Sequence, residues 1–356
     1  MITKEAILAA LGNVDDPDLK KDLVTLKMVE DIAINGDQVS FTVVLTTPAC
    51  PMKEHIRNAC TTAITHLVSK QAIVTVNMSS RTTTGANSGT SILPQVKNII
   101  AVFSGKGGVG KSTVSSNLAI ALAQNGASVG LMDADIYGPS VPIMFGVRGQ
   151  RPQMQVVGDK DMIVPLESQG IKLMSIGLLV DDKQAVVWRG PMASSAIKQF
   201  VTDVNWGALD YLIIDMPPGT GDIHLTLLQM LPISGAVIVT TPQQVAVADA
   251  KKAIAMFGQA QVKVPILGIV ENMSWFTPAE LPDSKYYLFG KDGGKNLADE
   301  YDLPFLGQLP LTEAVSQGGD AGVPLLGGVD VLSKTAFYTL CGNVVRQMAI
   351  ANATKL

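Results

Sequence analysis

Gly105-Lys106-Gly107-Gly108-Val109-Gly110-Lys111-Ser112 fits the spacing G-x-x-x-x-G-K-[S/T], the pattern of a phosphate-binding loop. Glycines let such a backbone curl until its N–H groups face phosphate oxygens. A helix opening at the end of the loop adds its positive N-terminal end. In that geometry Lys111 contacts the β- and γ-phosphates of ATP, and the Ser112 hydroxyl binds Mg²⁺. Lys106 is a second lysine inside the loop. It is either a solvated loop residue or a charge for the γ-phosphate, its own or that of a partner subunit's nucleotide.

Carboxylates follow at two further places. Asp133-Ala134-Asp135 closes one apolar run, and Asp215 closes another, followed by Met216-Pro217-Pro218-Gly219-Thr220-Gly221-Asp222. Carboxylates at strand C-termini lie where open α/β sheets bind ligands. Each aspartate alone also reads as a helix N-cap. Beside one phosphate loop, Asp215 is expected to be the Mg²⁺-side carboxylate, acting through water, and Asp135 to position the attacking water. Gly219 is placed to offer its N–H to the γ-phosphate and so to report its presence.

Thiols and imidazoles offer a second chemistry. Cys50, in Thr46-Thr47-Pro48-Ala49-Cys50-Pro51, precedes a predicted helix whose dipole would favour the thiolate and so metal binding. A structural loop cysteine is the other reading. Cys60 reads as mid-helix packing and Cys341 as a small core residue in an apolar helical stretch. His55 reads as an exposed helix residue, and His224 as a helix-start residue on the surface. Met216, Trp188 and Trp206 read as core.

The elements that must position these groups follow from periodicity. Residues 2–14 and 51–68 read as helices. Met28 to Ile34, Gln38 to Leu45 and Ala72 to Val76 read as strands, with Asn35-Gly36 as a tight turn needing positive φ at both residues. This gives a small α+β domain over 1–79. Ser79 to Ser91, rich in Ser, Thr and Gly, reads as a flexible linker, here bounded at 80–96. Beyond it, Asn98 to Phe103, Val129 to Met132, Tyr211 to Ile214, Ala236 to Val239 and Ile266 to Val270 are short apolar runs, as in strands buried on both faces. Helical patterns near 112–125, 191–203, 222–231, 245–260 and Val329 to Asn352 alternate with them. Residues 97–356 therefore read as an α/β domain with a doubly wound, mostly parallel sheet. No internal repeat is evident.

The 356 residues are 47% hydrophobic and 16% charged, a globular composition with a formal net charge of −4. No block of Lys or Arg marks nucleic acid as the partner. No apolar run reaches 18 residues, so no membrane span is expected. The N-terminal residues lack a signal-peptide core. Three cysteines make no disulfide framework, and the chain reads as cytoplasmic with reduced thiols.

Gly105 to Thr113 resembles the deviant phosphate loop of the MinD/ParA/nitrogenase-iron-protein class of dimeric ATPases. Within that class, Asp133 to Ser140, Trp188 to Met192, Asp215 to Asp222 and Glu271-Asn272-Met273-Ser274 resemble the Mrp/ApbC iron–sulfur cluster carriers. The N-terminal unit, with Cys50 in its loop, resembles the small iron–sulfur assembly domain fused to bacterial members. The resemblance implies that Lys106 is the signature lysine reaching across a homodimer. It implies that Gly105 to Thr113 cradle ATP and that Lys111, Ser112, Asp135 and Asp215 keep the roles given above. Asn272 would read adenine. A labile iron–sulfur cluster would be held between subunits and passed to apo client proteins with the assembly machinery.

The chain departs from that pattern at one place. Many members carry a Cys-x-x-Cys pair after Asn-Met-Ser. Here Trp275-Phe276-Thr277-Pro278-Ala279-Glu280-Leu281-Pro282 follows, without cysteine. Cluster carriage is the leading expectation, with Cys50 as the candidate cluster or thiol site. A cluster-free assembly ATPase acting through the N-terminal domain is the second. A MinD/ParA-like spatial-organising ATPase is the third, but residues 344–355 hold only Arg346 and Lys355 as basic groups.

Overall fold

The computed structural model describes residues 2–82, 92–180, 190–259, 262, 264–278, 280–281, 283–323 and 330–354. The linker reading falls mostly on 83–91, and Trp188 and Arg189 of the segment Trp188 to Met192 fall on 181–189, both outside the described residues; the rest of that segment opens a helix.

The N-terminal unit runs α1 (Lys4–Leu11), β1 (Asp15–Asp16), β2 (Lys21–Asp22), β3 (Val29–Asn35), β4 (Gln38–Leu45), α2 (Lys53–Leu67) and β5 (Ile73–Ser80). Thr3 caps α1 by accepting the Ala6 N–H at 3.2 Å. β4 lies between antiparallel β3 and parallel β5. Its alternate residues Val39, Phe41, Val43 and Leu45 pack on Ile7, Leu11, Ile56, Cys60 and Ile64 of the two helices. The hairpin turn differs from the sequence expectation by one residue. Asn35 pairs with Gln38 as strand, so the turn is Gly36-Asp37, and of Asn35 and Gly36 only Gly36 has positive φ.

The second unit continues with β6 (Val96–Phe103), α3 (Lys111–Gln124), β7 (Val129–Asp133), α4 (Val141–Met144), β8 (Gln153–Val157), β9 (Lys160–Val164), β10 (Leu166–Ser168), β11 (Ile171–Ser175), α5 (Gly190–Thr202) and β12 (Leu209–Asp215). It ends with α6 (Asp222–Met230), β13 (Gly235–Thr240), α7 (Gln244–Phe257), β14 (Ile266–Glu271), α8 (Gly293–Glu300), β15 (Phe305–Gln308), α9 (Glu313–Asp320) and α10 (Val331–Thr354). The eight-stranded sheet has the order β10-β11-β7-β12-β6-β13-β14-β15. Every neighbour pair is parallel except β10 with β11. Helices cover both faces over two apolar layers, one centred on α3 and α10, the other on α5, α6 and α7. The doubly wound expectation is met, and the five strands read from apolar runs are all present. The β8–β9 hairpin, β10, β11, β15, α4, α8 and α9 are additions that the sequence reading did not contain.

The two units touch. The Tyr211 hydroxyl, at the start of β12, donates to Thr47 Oγ1 at 2.9 Å. Ala49 is packed in the α3–α10 layer, and Arg346 of α10 pairs with Asp18 at 2.7 Å. A Cβ on Gly342 would meet the Pro51 ring at 3.0 Å, so glycine is what lets the Cys50 loop lie on α10.

Candidate functional site

Parallel register brings the carboxylates together. Asp215 at the end of β12 is level with Asp133 at the end of β7, and with Val102 of β6, just before the phosphate loop. The Ala134 N–H donates to the Asp215 carbonyl at 2.9 Å and ties these strand ends. The phosphate loop thus leaves the sheet from β6, beside the acidic end of β12 and one strand further from that of β7, and turns into α3.

Gly110 shows why the loop needs glycine. Its φ is +82°, and a Cβ there would lie 2.1 Å from Asn272 Nδ2. That amide donates to the Val109 carbonyl at 2.9 Å, so Asn272, buried after β14, braces the loop from behind. At the loop's other end, Gly105 packs so closely on α7 that a Cβ would be 2.1 Å from the Asp249 carbonyl oxygen.

Lys111 is buried and gathers the charges. Its Nζ lies 2.8 Å from Asp215 Oδ1 and 3.9 Å from Asp135 Oδ2. Asp215, fully buried, also accepts from Ser112 Oγ at 2.6 Å and Ser115 Oγ at 2.7 Å. Asp133 is equally buried. Its carboxyl accepts from the Asp135 N–H at 3.1 Å, the Val141 N–H at 3.3 Å and Ser175 Oγ at 2.9 Å. Burial first, then the charge of Asp215, pushes the Asp133 pKa up against the pull of Lys111. Burial also raises Asp135, with Lys111 opposing it. Asp133 therefore holds in place the segment that carries Asp135. The sequence reading took Asp133 only as part of an acidic pair and did not contain Ser115 or Ser175.

Ser112 and Asp215 supply a hydroxyl and a carboxylate 2.6 Å apart beside the phosphate loop, the hard oxygen donors that Mg²⁺ takes. The donor set fits that ion. Next to it, a cavity of about 350 Å³ is lined by Thr113, Ser140, Ile143, Asn272, Met273 and Leu311, among others. Its size lies within the usual range for small-molecule sites. Lys106 is half-buried in the loop. Gly219 has φ +92° and donates its N–H to the Ser104 carbonyl at 3.0 Å.

The histidine and cysteine expectations divide. His55 is exposed, but His224 is only 2% exposed, which corrects its reading as a surface residue. Its Nε2 lies 2.8 Å from the Pro217 carbonyl and its Nδ1 3.2 Å from the Gly221 carbonyl, with the ring edge-on to Phe103 at 4.8 Å. Burial outweighs these carbonyls and lowers its pKa. The cause is the face of α6. His224, Leu227, Leu228 and Leu231 repeat at i, i+3, i+4 and i+7 and are all buried.

Cys50 is half-buried, three residues before α2. Burial, with Asp16 and Asp18 nearby, pushes its thiol up to about 11, so the thiolate-favouring dipole expected from the sequence is outweighed. Cys60 and Cys341 are buried, each pushed up to about 12 by burial. Among the described residues, no three His, Cys, Asp or Glu side chains are grouped to hold a metal ion.

Comparison with known proteins follows the same two units. Residues 95–345 match the family described as NUBPL iron-transfer P-loop NTPase, and residues 4–77 match the family described as iron-sulfur cluster assembly protein. An iron-sulfur cluster carrier protein of Synechocystis is 51% identical over 92% of this chain and 92% of its own length. The Escherichia coli K12 protein of the same description is 42% identical, covering 93% of this chain and 88% of its own. A solved nucleotide-binding protein from Archaeoglobus fulgidus, in complex with ADP, is 40% identical. It covers 67% of this chain and 91% of its own, with a TM-score of 0.58.

Proposed function

The chain belongs to the NUBPL iron-transfer P-loop NTPase family, and from that premise we propose that it binds and hydrolyses ATP to load, carry and hand over iron–sulfur clusters to apo proteins. The observation that carries the ATPase half is the buried set Lys111, Ser112, Asp135 and Asp215 at the mouth of one phosphate loop. The Asp215 carboxylate engages Lys111 and Ser112 in the structure. The β- and γ-phosphates of ATP would take Lys111 in its place, and Ser112 with Asp215 would hold a Mg²⁺ ion, which would supply neutralisation of the developing phosphate charge. Asp135 orients the attacking water, and Lys106 reaches a phosphate across a homodimer. The cavity beside Thr113 takes the adenine, with Asn272 at its wall.

The cluster is cargo, and Cys50 is the thiol proposed to meet it, because Cys60 and Cys341 are sealed in cores. Iron binding needs the thiolate. With its thiol held near 11 against the N-terminal core, Cys50 becomes a ligand once its loop opens away from that core. We place this work in the cytoplasm, with apo iron–sulfur clients and the assembly machinery as partners. Among the described residues, no helix is long and apolar enough to cross a membrane.

A second reading is favoured by the same thiols, all raised by burial: an assembly ATPase that acts on clients through its N-terminal domain without holding a cluster. Anaerobic iron and sulfide reconstitution separates them. Carriage predicts charge-transfer absorbance and iron in wild type, both reduced in Cys50→Ala. ATPase activity with no cluster in either protein would replace the first reading with the second.

A further inference from the structure

Gly219 is at the apex of the loop 217–221 that joins β12 to α6, and its N–H is engaged with the Ser104 carbonyl, one residue before the phosphate loop. An N–H committed to a main-chain carbonyl is not free for a phosphate, so reading the γ-phosphate requires the apex to exchange partners. The space around Gly219 permits it: nothing lies within 4 Å of the place a Cβ would take.

His224 grips both shoulders of this loop, Pro217 through Nε2 and Gly221 through Nδ1. A neutral imidazole carries one N–H, so the two carbonyls cannot both be hydrogen-bonded to it. The shorter contact, 2.8 Å against 3.2 Å, places the proton on Nε2. The Pro217 shoulder is therefore anchored by the ring, and the Gly221 shoulder by the main chain, its carbonyl accepting the His224 N–H at 3.0 Å. The ring is itself fixed, packed edge-on against Phe103 on one side of the sheet.

We propose that His224 is a positioning residue for nucleotide hydrolysis: its Nε2–H pins Pro217 so that the loop apex moves between two held shoulders and carries the Gly219 N–H from the Ser104 carbonyl to the terminal phosphate. His224 does this without touching the nucleotide. The role rests on the ATPase reading above, and it explains why an imidazole is spent inside an otherwise apolar helix face.

The test uses the full chain with three variants, read by Mg·ATP turnover and by separate affinities for ADP and a non-hydrolysable ATP analogue. His224→Phe fills the volume without the hydrogen bond. It should lower kcat about tenfold, the weight of one anchoring hydrogen bond. ADP affinity should stay within about twofold, and the preference for the triphosphate analogue over ADP should shrink. His224→Gln, whose amide nitrogen reaches the Nε2 position, should restore both readouts. His224→Asn, whose nitrogen reaches only the Nδ1 position, should not. Wild-type kcat and preference in His224→Phe would overturn the proposal. If His224→Phe loses ADP binding through misfolding, equal behaviour of the Gln and Asn variants overturns it. A wild-type protein that binds ATP without turnover would remove the ATPase reading, while triphosphate preference would still decide the role of His224.

Discussion

Replacing Asp215 with asparagine removes one charge and little volume from the centre of the site. Lys111 and Asp215 are 6% and 0% exposed and lie 2.8 Å apart, so the substitution strands a buried ammonium. Breaking a buried pair in this way costs about 3–5 kcal/mol. Asp135, at 3.9 Å from the same Nζ, remains as a weaker partner, and Asp133 ionises more easily once Asp215 is neutral. Both effects move the cost to the low end, about 3 kcal/mol. For a domain of this size that is a fall in Tm of roughly 6–12 °C. Thermal melts should be run in EDTA, with and without ADP. The phosphates of ADP offer Lys111 a new anionic partner, which in wild type must first displace the carboxylate. The gap between wild type and Asp215→Asn should therefore narrow with ADP. Nucleotide-free melts within about 2 °C of each other would show that the pair does not hold the site together. A gap indifferent to ADP would show that Lys111 does not pass from carboxylate to phosphate.

Three further outcomes are expected. The Asp133 pKa is raised in the folded protein, so its stabilising share is complete below the ordinary carboxylate value and is lost as pH rises toward the raised one. Asp133→Asn should accordingly gain stability relative to wild type between about pH 5 and pH 8, and a constant difference in Tm would contradict this. Lys106→Ala should bind ATP yet turn it over about 10³-fold more slowly, as for cationic groups supplied in trans; normal turnover would remove its cross-subunit role. Gly110→Ala places a methyl 2.1 Å from Asn272 Nδ2 at φ +82° and should abolish nucleotide binding in equilibrium dialysis, whereas near-normal ADP affinity would mean that the loop and Asn272 yield freely.

Much of the site was legible in the sequence because its chemistry is local. Gly105 to Ser112 is one uninterrupted motif, and the apolar runs ending at Asp133 and Asp215 announced buried strands with acidic ends. What was not legible depends on register and on faces. Asp133 and Asp135 are two residues apart in one strand–loop junction, and only their burial separates the carboxyl that braces the segment from the one that faces Lys111. β11 carries Lys172 within a short apolar run, and β15 is four residues long at the sheet edge, so neither stood out as the central strands did. His224 was readable in principle: with Leu227, Leu228 and Leu231 it completes a helical stripe, a signal that its neighbour Asp222 masked. Cys50 shows the opposite failure. A thiol ahead of a helix suggested a thiolate, but the docking of its loop on α10, fixed by Gly342, Arg346 and Tyr211, is a tertiary fact that no local spacing encodes.

The most direct measurement is anaerobic transfer: the reconstituted protein is mixed with an apo iron–sulfur enzyme whose activity reports its own cluster, with and without Mg·ATP, alongside Lys111→Ala. The account predicts that wild type restores the enzyme's activity faster with Mg·ATP and that Lys111→Ala holds its cluster but loses the nucleotide effect. Wild-type protein that hydrolyses ATP yet neither holds a cluster nor restores the apo enzyme would contradict it.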